Sequence, residues 1–339
     1  MSVGLDIGSK TIKAVELSKE GSNFRLKSAG AVAYSGIELS QMSEEKDFAD
    51  LAAVLKKLFR DAKISSKDIS IALPESQVFT RILRFPLLTD QEVASAVKWE
   101  AEEYIPIPLS EAIVQHQILE RRETGTPPQV IVMLVAAPRV LVEKYIKIVN
   151  MAGFNCVNVE TELIALTRSL APADQTVMIV DFGAGSTDLA VAKNGQLVLS
   201  RSIQTAGEAF TRAVAQYLGI ANAQAEEYKR SYGLSQEQLE GKVGNALEPV
   251  FRVVAEEIKK VVHFYQIEEK GQLPTSLIIS GGTAGLPGLG TTLTKLLNLE
   301  VLIGNPFVKL SIDAQTAKSL AAYSPLYSIA VGLAMKSEQ

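Results

Sequence analysis

One strand–turn–strand unit occurs twice in this sequence, and the repetition limits the fold more than any other feature. The first copy is VGLDIGSKTIKAVEL at residues 3–17, and the second is VMIVDFGAGSTDLAVAK at residues 177–193. In each copy a glycine-containing turn joins an apolar strand to a strand of alternating pattern. Asp6 and Asp181 hold equivalent places about 175 residues apart. This spacing predicts an α/β protein with two duplicated lobes, whereas two unrelated meanders are the alternative.

Both copies continue in the same order. Extended residues follow the first copy, and the pair Asn194-Gly195 after the second copy favours a two-residue hairpin turn into a third strand. Apolar residues at helical spacing come next, namely Phe48, Leu51, Val54, Leu55 and Leu58 in the first half and Phe210, Val214 and Leu218 in the second. Each half is therefore predicted to be a three-stranded meander followed by an amphipathic helix.

The turns of the repeated unit have the composition of an anion site. Glycines allow a sharp turn and a close approach of a ligand, so that successive N–H groups can surround a phosphate. Lys10 can add a positive charge, and hydroxyl donors lie in the same turns. These hydroxyls belong to Ser9, Thr11, Ser186 and Thr187. Asp6 and Asp181 would repel a polyphosphate unless a cation lay between them, and hydrated Mg²⁺ suits that position.

Composition and missing motifs exclude several classes of protein. With 47% hydrophobic residues and a net charge of −4, the chain can bury a large core and has no general attraction for nucleic acid. Cys156, His116 and His263 are too few for an internal disulfide or a zinc cluster. The sequence has no Walker-type loop and no G-x-S-x-G elbow. The turn at 183–188 leads into a strand, whereas a dinucleotide fingerprint leads into a helix.

We expect a cytoplasmic protein. Met1 leads directly into a strand pattern without the basic and apolar regions of a signal peptide, and the apolar run at 130–138 is too short to cross a bilayer. The sequence stops at GLAMKSEQ, directly after an apolar helical pattern, so we also expect no membrane-targeting helix and no direct membrane insertion.

A third glycine cluster lies at 275–289, where a β-rich run ends in Gly281 and Gly282. Glycines at a strand end allow a flat ring to lie against the backbone, although a plain strand-to-helix connection is the alternative.

Two helical segments between the second and third glycine clusters carry charged residues. Gly207 and Glu208 begin the first segment, and Glu226 and Lys229 are three residues apart on the second. Such a spacing normally gives a solvated ion pair, so only a neighbouring nucleotide would give this pair a binding role.

The motifs, taken in this order, resemble those of the actin-like ATPases. The segments at 5–11 and 180–188 resemble the two phosphate motifs, 277–289 resembles the adenosine motif, and 326–335 resembles the second connecting motif. The segment at 85–119 is similar to the PilM family of type IV pilus assembly proteins. The resemblance covers nearly the whole chain and implies two lobes around ATP or ADP with Mg²⁺, and a small inserted subdomain in the arrangement of FtsA.

The resemblance assigns roles to the matching residues. Asp6 and Asp181 would orient the hydrated metal. Around the terminal phosphates would lie Gly8, Ser9, Lys10, Thr11, Gly183, Gly185, Ser186 and Thr187. Near the adenosine would lie Gly207, Glu208, Glu226, Lys229, Gly281, Gly282 and Thr283. The catalytic acid that positions the attacking water would be Glu160 or, as we favour, Glu162, although this segment lacks the proline that many relatives have.

The resemblance also implies how the chain is divided. The expected units are a first lobe at 1–83 and 156–175, an inserted subdomain at 84–155, a second-lobe core at 176–215 and 272–324, a helical subdomain at 216–271, and a C-terminal helix at 325–339 that returns to the first lobe.

The inserted segment has its own local signals. The spacing of Thr89 and Glu92 predicts a capping box that opens a helix to Tyr104, and the prolines at 105–108 then force an extended path. Trp99 and Tyr104 are candidates either for a peptide groove or for a core. PilM-like proteins are expected to hold the short N-terminal cytoplasmic tail of the inner-membrane protein PilN between this subdomain and the first lobe. Such a contact would recruit the protein to the inner membrane.

The favoured function is an ATP-binding scaffold of type IV pilus assembly, in which the nucleotide orders the lobes and hydrolysis is slow or regulatory. A small-molecule kinase of the sugar- or acetate-kinase type is one alternative, and a filament protein of the FtsA or MreB type is another. Other pilus assembly proteins and further copies of the chain are additional expected contacts, whereas nucleic acid is not.

Overall fold

The structure is a computed structural model that describes residues 1–124, 127–267 and 271–336. The parts of the predicted units that fall on 125–126, 268–270 and 337–339 lie outside the described residues.

The first lobe is a mixed sheet with helices packed on it. Its first elements are β1 (Ser2–Ile7), β2 (Thr11–Glu20), β3 (Asn23–Ala33), α1 (Glu45–Asp61) and β4 (Asp68–Leu73). An inserted unit follows, formed by β5 (Phe79–Pro86), α2 (Asp90–Tyr104), β6 (Ala112–Arg122) and β7 (Gln129–Pro138). The first lobe then resumes with α3 (Arg139–Met151), β8 (Asn155–Thr161) and α4 (Glu162–Leu170).

The second lobe repeats this plan and adds a layer of helices. Its elements are β9 (Thr176–Phe182), β10 (Thr187–Lys193), β11 (Gln196–Ile203), α5 (Gly207–Leu218), α6 (Asn222–Tyr232), α7 (Lys242–Ile267), β12 (Ser276–Ser280), α8 (Leu289–Leu297) and β13 (Glu300–Ile303). The chain then returns to the first lobe through β14 (Leu310–Ser311), α9 (Ala314–Leu320) and α10 (Ser328–Ala334).

The strand order of the two large sheets is the same apart from one added strand. The first sheet runs β14-β3-β2-β1-β4-β8, and the second runs β11-β10-β9-β12-β13. The strand β1 is antiparallel to β2 and parallel to β4, and β9 is likewise antiparallel to β10 and parallel to β12. The two predicted meanders are confirmed, and the shared order of five strands agrees with a duplication.

Two local predictions are confirmed at the residues that motivated them. Asn194 and Gly195 have φ values of 52° and 75°, and positive values at both positions are what a type I′ hairpin turn requires. At the start of α2, Thr89 and Glu92 exchange the two hydrogen bonds of a capping box.

The inserted unit differs from its predicted range of 84–155. Its three-stranded sheet, of order β5-β7-β6, begins at Phe79 and ends at Pro138. The next helix, α3, packs on α1 and buries Tyr145 and Ile148 in the core of the first lobe. A stripe of apolar residues shows that a helix has a buried face but not which core it covers, so α3 could not be assigned from the sequence.

The first lobe also receives residues from the predicted second-lobe range of 272–324. The strand β14 pairs with β3, and Leu310 packs beside Leu17. Farther along, α10 lies against β1 and α4 at close range because of two glycines. A Cβ atom on Gly4 would lie 2.0 Å from the carbonyl oxygen of Ala330, and one on Gly332 would lie 1.9 Å from that of Ala165.

Within residues 1–124, 127–267 and 271–336, no helix has the length and apolar character that crossing a membrane requires.

Candidate functional site

A cleft of about 1200 Å³ lies between the two lobes. The predicted site residues that line it are Asp6, Gly8, Ser9, Lys10, Thr11, Glu162, Asp181, Gly183, Gly185, Ser186, Gly207, Glu208, Glu226, Lys229, Gly281, Gly282 and Thr283. Among the predicted nucleotide-binding residues Thr187 is the exception, since it is fully buried and its hydroxyl donates to the carbonyl oxygen of Thr205 at 2.7 Å. That bond fastens β10 to the chain after β11, so the hydroxyl of Thr187 is not available as the predicted phosphate donor.

The first hairpin brings a lysine to the predicted metal-facing acid. Asp6 and Lys13 lie opposite each other in the pairing of β1 with β2, and the Lys13 Nζ lies 3.0 Å from the Asp6 Oδ2. Both residues are buried, and a buried carboxylate needs such a partner. Lys10 instead reaches across the cleft to α5, where its Nζ lies 2.8 Å from the Glu208 Oε1. The first hairpin therefore places one lysine on an acid of its own lobe and the other on an acid of the second lobe.

The second hairpin has an acid where the first has Lys13. Asp188 lies opposite Asp181 in the pairing of β10 with β9, and the Ser186 hydroxyl donates to the Asp188 Oδ2 at 2.8 Å. Burial, together with the charge of Asp188, raises the pKa of Asp181 to about 7. Burial also raises the pKa of Asp188 to about 6. A cation close to this pair would lower both pKa values, so the hairpin favours positive charge.

The acids of the cleft suit a hydrated cation. Across residues 1–124, 127–267 and 271–336, no three His, Cys, Asp or Glu side chains are placed to hold one metal ion together. Asp6, Asp181 and Asp188 all line the cleft, and the Asp188 Oδ1 is buried without a hydrogen-bond partner. Mg²⁺ often keeps several of its waters in proteins, and carboxylates can accept hydrogen bonds from those waters. These residues therefore fit Mg²⁺ held through water.

The two candidate catalytic acids have different surroundings. Glu160 accepts hydrogen bonds of 2.6 and 2.8 Å from the guanidinium of Arg168, which occupies both of its oxygens. Glu162 begins α4, lines the cleft, and accepts a hydrogen bond of 3.2 Å from the N–H of Glu75. Burial, followed by the negative charge of nearby aspartates, raises the pKa of Glu162 well above its usual range. Glu162 is thus the acid that faces the cleft.

Lys229 is buried and Glu226 is half-buried, so the two residues do not form the fully solvated pair that their spacing normally gives. Lys229 is 5% exposed, and its Nζ donates to the Glu226 Oε2 at 2.6 Å, the Thr211 hydroxyl at 2.9 Å and the Gly207 carbonyl at 3.0 Å. Arg230 binds the other oxygen of Glu226 from the surface. Burial lowers the pKa of Lys229. The network fixes α6 to the start of α5 at the edge of the cleft.

The third glycine turn places bare backbone against the cleft. Gly281 has a φ of +86°, and a Cβ atom there would lie 2.4 Å from the carbonyl oxygen of Phe182, so this position requires glycine. At Gly282 the nearest atom to an added Cβ is 3.9 Å away, and at Gly285 nothing lies within 4 Å. This open backbone surface is of the kind on which a flat ring can lie.

Sequence reasoning missed Lys13 and Asp188, although the signal was present. In an antiparallel hairpin the turn fixes the register, so each residue has a definite partner on the opposite strand. The turn after β1 brings Lys13 opposite Asp6, and the turn after β9 brings Asp188 opposite Asp181.

Trp99 and Tyr104, the aromatic residues of α2, differ in how far they are exposed. Trp99 is 76% exposed, so the interpretation of this residue as core is wrong. Tyr104 is half-buried, and the guanidinium carbon of Arg81 lies 3.6 Å from the centroid of its ring. A peptide groove that includes these residues stays a prediction.

Two lobes of the same strand order, with a glycine turn from each facing one cleft, define the actin-like ATPase fold. The family model of type IV pilus assembly protein PilM matches residues 4–338. The chain belongs to this family and is therefore placed among the assembly proteins of type IV pili.

Known structures and curated proteins agree with this fold. A solved PilM-PilN type IV pilus biogenesis complex superimposes with a TM-score of 0.84 at 27% identity, covering 98% of this chain and 97% of that chain. MreB5 of Spiroplasma citri bound to AMPPNP has a TM-score of 0.54 at 15% identity, covering 97% and 93%. Cell division protein FtsA of Streptococcus pneumoniae serotype 2 is 23% identical over 343 residues, which are 89% of this chain and 75% of that protein.

Proposed function

We propose that this protein is an ATP-Mg-binding scaffold of type IV pilus assembly at the cytoplasmic face of the inner membrane. The observation that carries the proposal is the cleft, where glycine turns of both lobes meet beside Asp6, Lys13 and Asp181. ADP would occupy the same site. The binding of AMPPNP by MreB5, a protein of the same fold, supports the nucleotide part of this proposal.

Different residues of the cleft have different roles in binding Mg-nucleotide. The positive charge of Lys13 balances the charge of Asp6. Bound Mg²⁺ would balance the charge of the phosphates and of the facing carboxyls of the second hairpin. Lys10 holds Glu208 of the opposite lobe, so a phosphate that attracts Lys10 weakens one contact between the lobes while adding its own contacts to both. The nucleotide would order the two lobes in this way.

Glu162 is the proposed residue for positioning the attacking water. Its raised pKa means that its carboxyl holds a proton more readily than an exposed glutamate does, and a protonated carboxyl cannot accept another from water. This property supports a hydrolysis step that is slow or regulatory.

The proposed partner is the short N-terminal cytoplasmic tail of PilN, bound between the first lobe and the inserted unit. The similarity to the PilM-PilN complex supports this partner. Trp99 and Tyr104 lie on α2 of the inserted unit, and aromatic side chains are common anchors in such interfaces. Attachment to an inner-membrane protein would hold the scaffold at the membrane.

Two titrations test the proposal. ATP-Mg binding is measured first, and a fluorescent peptide of the PilN tail is then titrated with and without ATP-Mg. Gly185→Val is the matched variant, because a Cβ atom at Gly185 meets nothing within 4 Å, so the fold is retained while the side chain fills space next to the phosphate turn. We expect the variant to lose ATP binding and to keep peptide binding.

Each titration has its own negative outcome. Wild-type protein that fails to bind ATP-Mg contradicts the nucleotide part, and wild-type protein that fails to bind the peptide contradicts the partner. Transfer of labelled phosphate to a sugar or to acetate would favour the kinase alternative, whereas nucleotide-dependent pelleting would favour a filament protein.

A further inference from the structure

The first lobe, the inserted unit and the second lobe meet at the short 3-10 helix Glu75–Gln77. This helix follows β4 and precedes β5, and β11 of the second lobe contacts both the helix and β5. Ser76 and Gln77 line the cleft, whereas the side chain of Glu75 is buried, with 5% of the residue exposed. One turn of chain therefore borders the cleft on one side and the inserted unit on the other.

The carboxyl of Glu75 faces hydroxyls from all three parts of the protein. Thr161 belongs to the first lobe, Thr80 lies on β5 of the inserted unit, and Ser200 lies on β11 of the second lobe. Burial raises the pKa of Glu75, and these three hydroxyls oppose the rise without cancelling it. The carboxyl of Glu75 therefore has a neighbour in each of the three parts, and a movement of any one part changes its surroundings.

Several buried oxygens at this junction have incomplete hydrogen bonding. Glu75 Oε2, Thr80 Oγ1, Asp188 Oδ1 and Ser202 Oγ make no well-formed hydrogen bond, although Thr80 lies beside the carboxyl of Glu75 and Ser202 lies beside that of Asp188. Ser202 lies opposite Asp188 in the pairing of β10 with β11, two residues along the strand from Ser200. Buried polar groups are nearly always paired, and exceptions call for a specific explanation. A small movement of β5 or β11 would therefore complete or break these two contacts.

The main chain of Glu75 ties this junction to the cleft. Its N–H donates to the Glu162 Oε2, and Glu162 lines the cleft. On the opposite lobe, Asp188 lines the cleft from β10, whose neighbouring strand β11 carries Ser200. A movement of the second lobe relative to Glu162 therefore also moves Ser200 relative to the carboxyl of Glu75.

We propose that Glu75 is a positioning residue that transmits the arrangement of the lobes at the cleft to the inserted unit. It does so through Ser200 on the side of the second lobe and Thr80 on the side of the inserted unit. The inference rests on the proposed function, because nucleotide in the cleft is what changes the arrangement of the lobes. When Ser200 shifts, the carboxyl of Glu75 shifts with it and displaces Thr80, so β5 responds to nucleotide before any partner protein binds.

Hydrogen–deuterium exchange of the full chain, with and without ATP-Mg, tests this inference. The readout is the deuterium uptake of peptides that cover β5, together with ATP affinity measured separately by titration. In wild-type protein we expect ATP-Mg to change the uptake rate of β5 at least twofold. Glu75→Ala should abolish that change, and so should Thr80→Val, which removes a hydroxyl at nearly constant volume.

Thr167→Val is the matched control for Thr80→Val. Thr167 is a buried threonine on α4 of the first lobe, and its hydroxyl makes no hydrogen bond. The control should keep the full response of β5, and both threonine variants should bind ATP with wild-type affinity. If Glu75→Ala does not fold, the comparison of the two threonine variants decides the question alone.

The outcomes separate this inference from the proposed function. Wild-type protein that does not bind ATP overturns both. Wild-type protein that binds ATP without any change in β5, or a Thr80→Val variant that responds as Thr167→Val does, overturns the role of Glu75 and leaves the nucleotide site in place.

Discussion

The residues of the two duplicated hairpins differ most in charge. Asp6 is opposite Lys13 and forms an ion pair, whereas Asp181 is opposite Asp188 and has no such partner. Burial disfavours the charged form of both acids, and the charge of Asp188 adds to the effect at Asp181, so the pKa of Asp181 is raised to about 7 and that of Asp188 to about 6. The duplicated unit has therefore diverged into one hairpin that is already neutralised and one that favours a cation.

The first prediction at this scale concerns pH and Asp181→Asn in metal-free protein. The native pKa of about 7 lies above the ordinary value of 3.8, so the native state binds this proton more tightly than the unfolded state does. This residue consequently lowers the free energy of unfolding of the wild type as the pH rises from about 4 to about 7. Asparagine does not ionise, so the variant does not lose stability in this way. Its free energy of unfolding should therefore rise relative to that of the wild type over this pH range, by at most roughly 4 kcal/mol.

Urea unfolding in the presence of EDTA, carried out at about pH 4, 6 and 8, measures this difference. Addition of Mg²⁺ should narrow the difference at the highest pH if the cation lies near the carboxyl. A stability difference that is the same at all three pH values would contradict the prediction.

The second prediction separates Glu162 from Glu160. Glu162→Gln should lower single-turnover ATP hydrolysis by about 100-fold and leave stability unchanged or improved, because a neutral side chain replaces a buried acid. Glu160→Gln should lower the free energy of unfolding by about 1–3 kcal/mol, because it removes the opposite charge and one of the two accepting oxygens that face the guanidinium of Arg168. Hydrolysis by properly folded Glu160→Gln should stay at the wild-type rate. Equal losses of hydrolysis in the two variants would show that neither acid has a special role.

At the scale of elements, local signals were predictable and distant partnerships were not. The capping box of Thr89 and Glu92 and the turn at Asn194 and Gly195 depend on residues a few positions apart, so the sequence predicts them directly. The glycine turns of the cleft are local in the same sense. The helix α3 and the strand β14 join the first lobe through contacts with residues far away in the chain, and no short pattern contains that information.

The close packing of α10 leads to the third prediction. Gly332→Ala should lower the free energy of unfolding by about 1–3 kcal/mol or more, because the added methyl group would collide with the backbone at Ala165. Gly290→Ala in α8 is the matched control, since the nearest atom to its added Cβ is 4.0 Å away. The control should stay within about 1 kcal/mol of the wild type. Chemical denaturation of the two variants measures both values, and similar losses would contradict close contact at α10.

At the scale of the whole molecule, the lobes are joined across the rim of the cleft by a weak contact. Lys10 and Glu208 are both largely exposed, and exposed ion pairs add about 0–1 kcal/mol or less. Such a contact cannot fix one arrangement of the lobes against the binding energy of a ligand that touches both. The size of the cleft is therefore expected to depend on what the cleft contains.

The fourth prediction follows from this weak contact. ATP-Mg should decrease the radius of gyration measured by small-angle X-ray scattering, because phosphates that contact the glycine turns of both lobes bring the lobes together. Gly185→Val should show no decrease at the same nucleotide concentration. A wild-type radius that stays constant at saturating ATP-Mg would contradict a closing motion.

The contacts that close the first lobe also determine when it can be completed during synthesis. The Ser2 hydroxyl donates to the carbonyl oxygen of Ala334, 332 positions away, and both β14 and α10 come from the last tenth of the chain. The ribosome must therefore release the chain as far as α10 before β1 is covered, and as far as β14 before β3 gains its outer neighbour. The second lobe, whose core elements are contiguous from β9 to β13, can be assembled earlier. The half of the protein that is made first is consequently the half that is finished last.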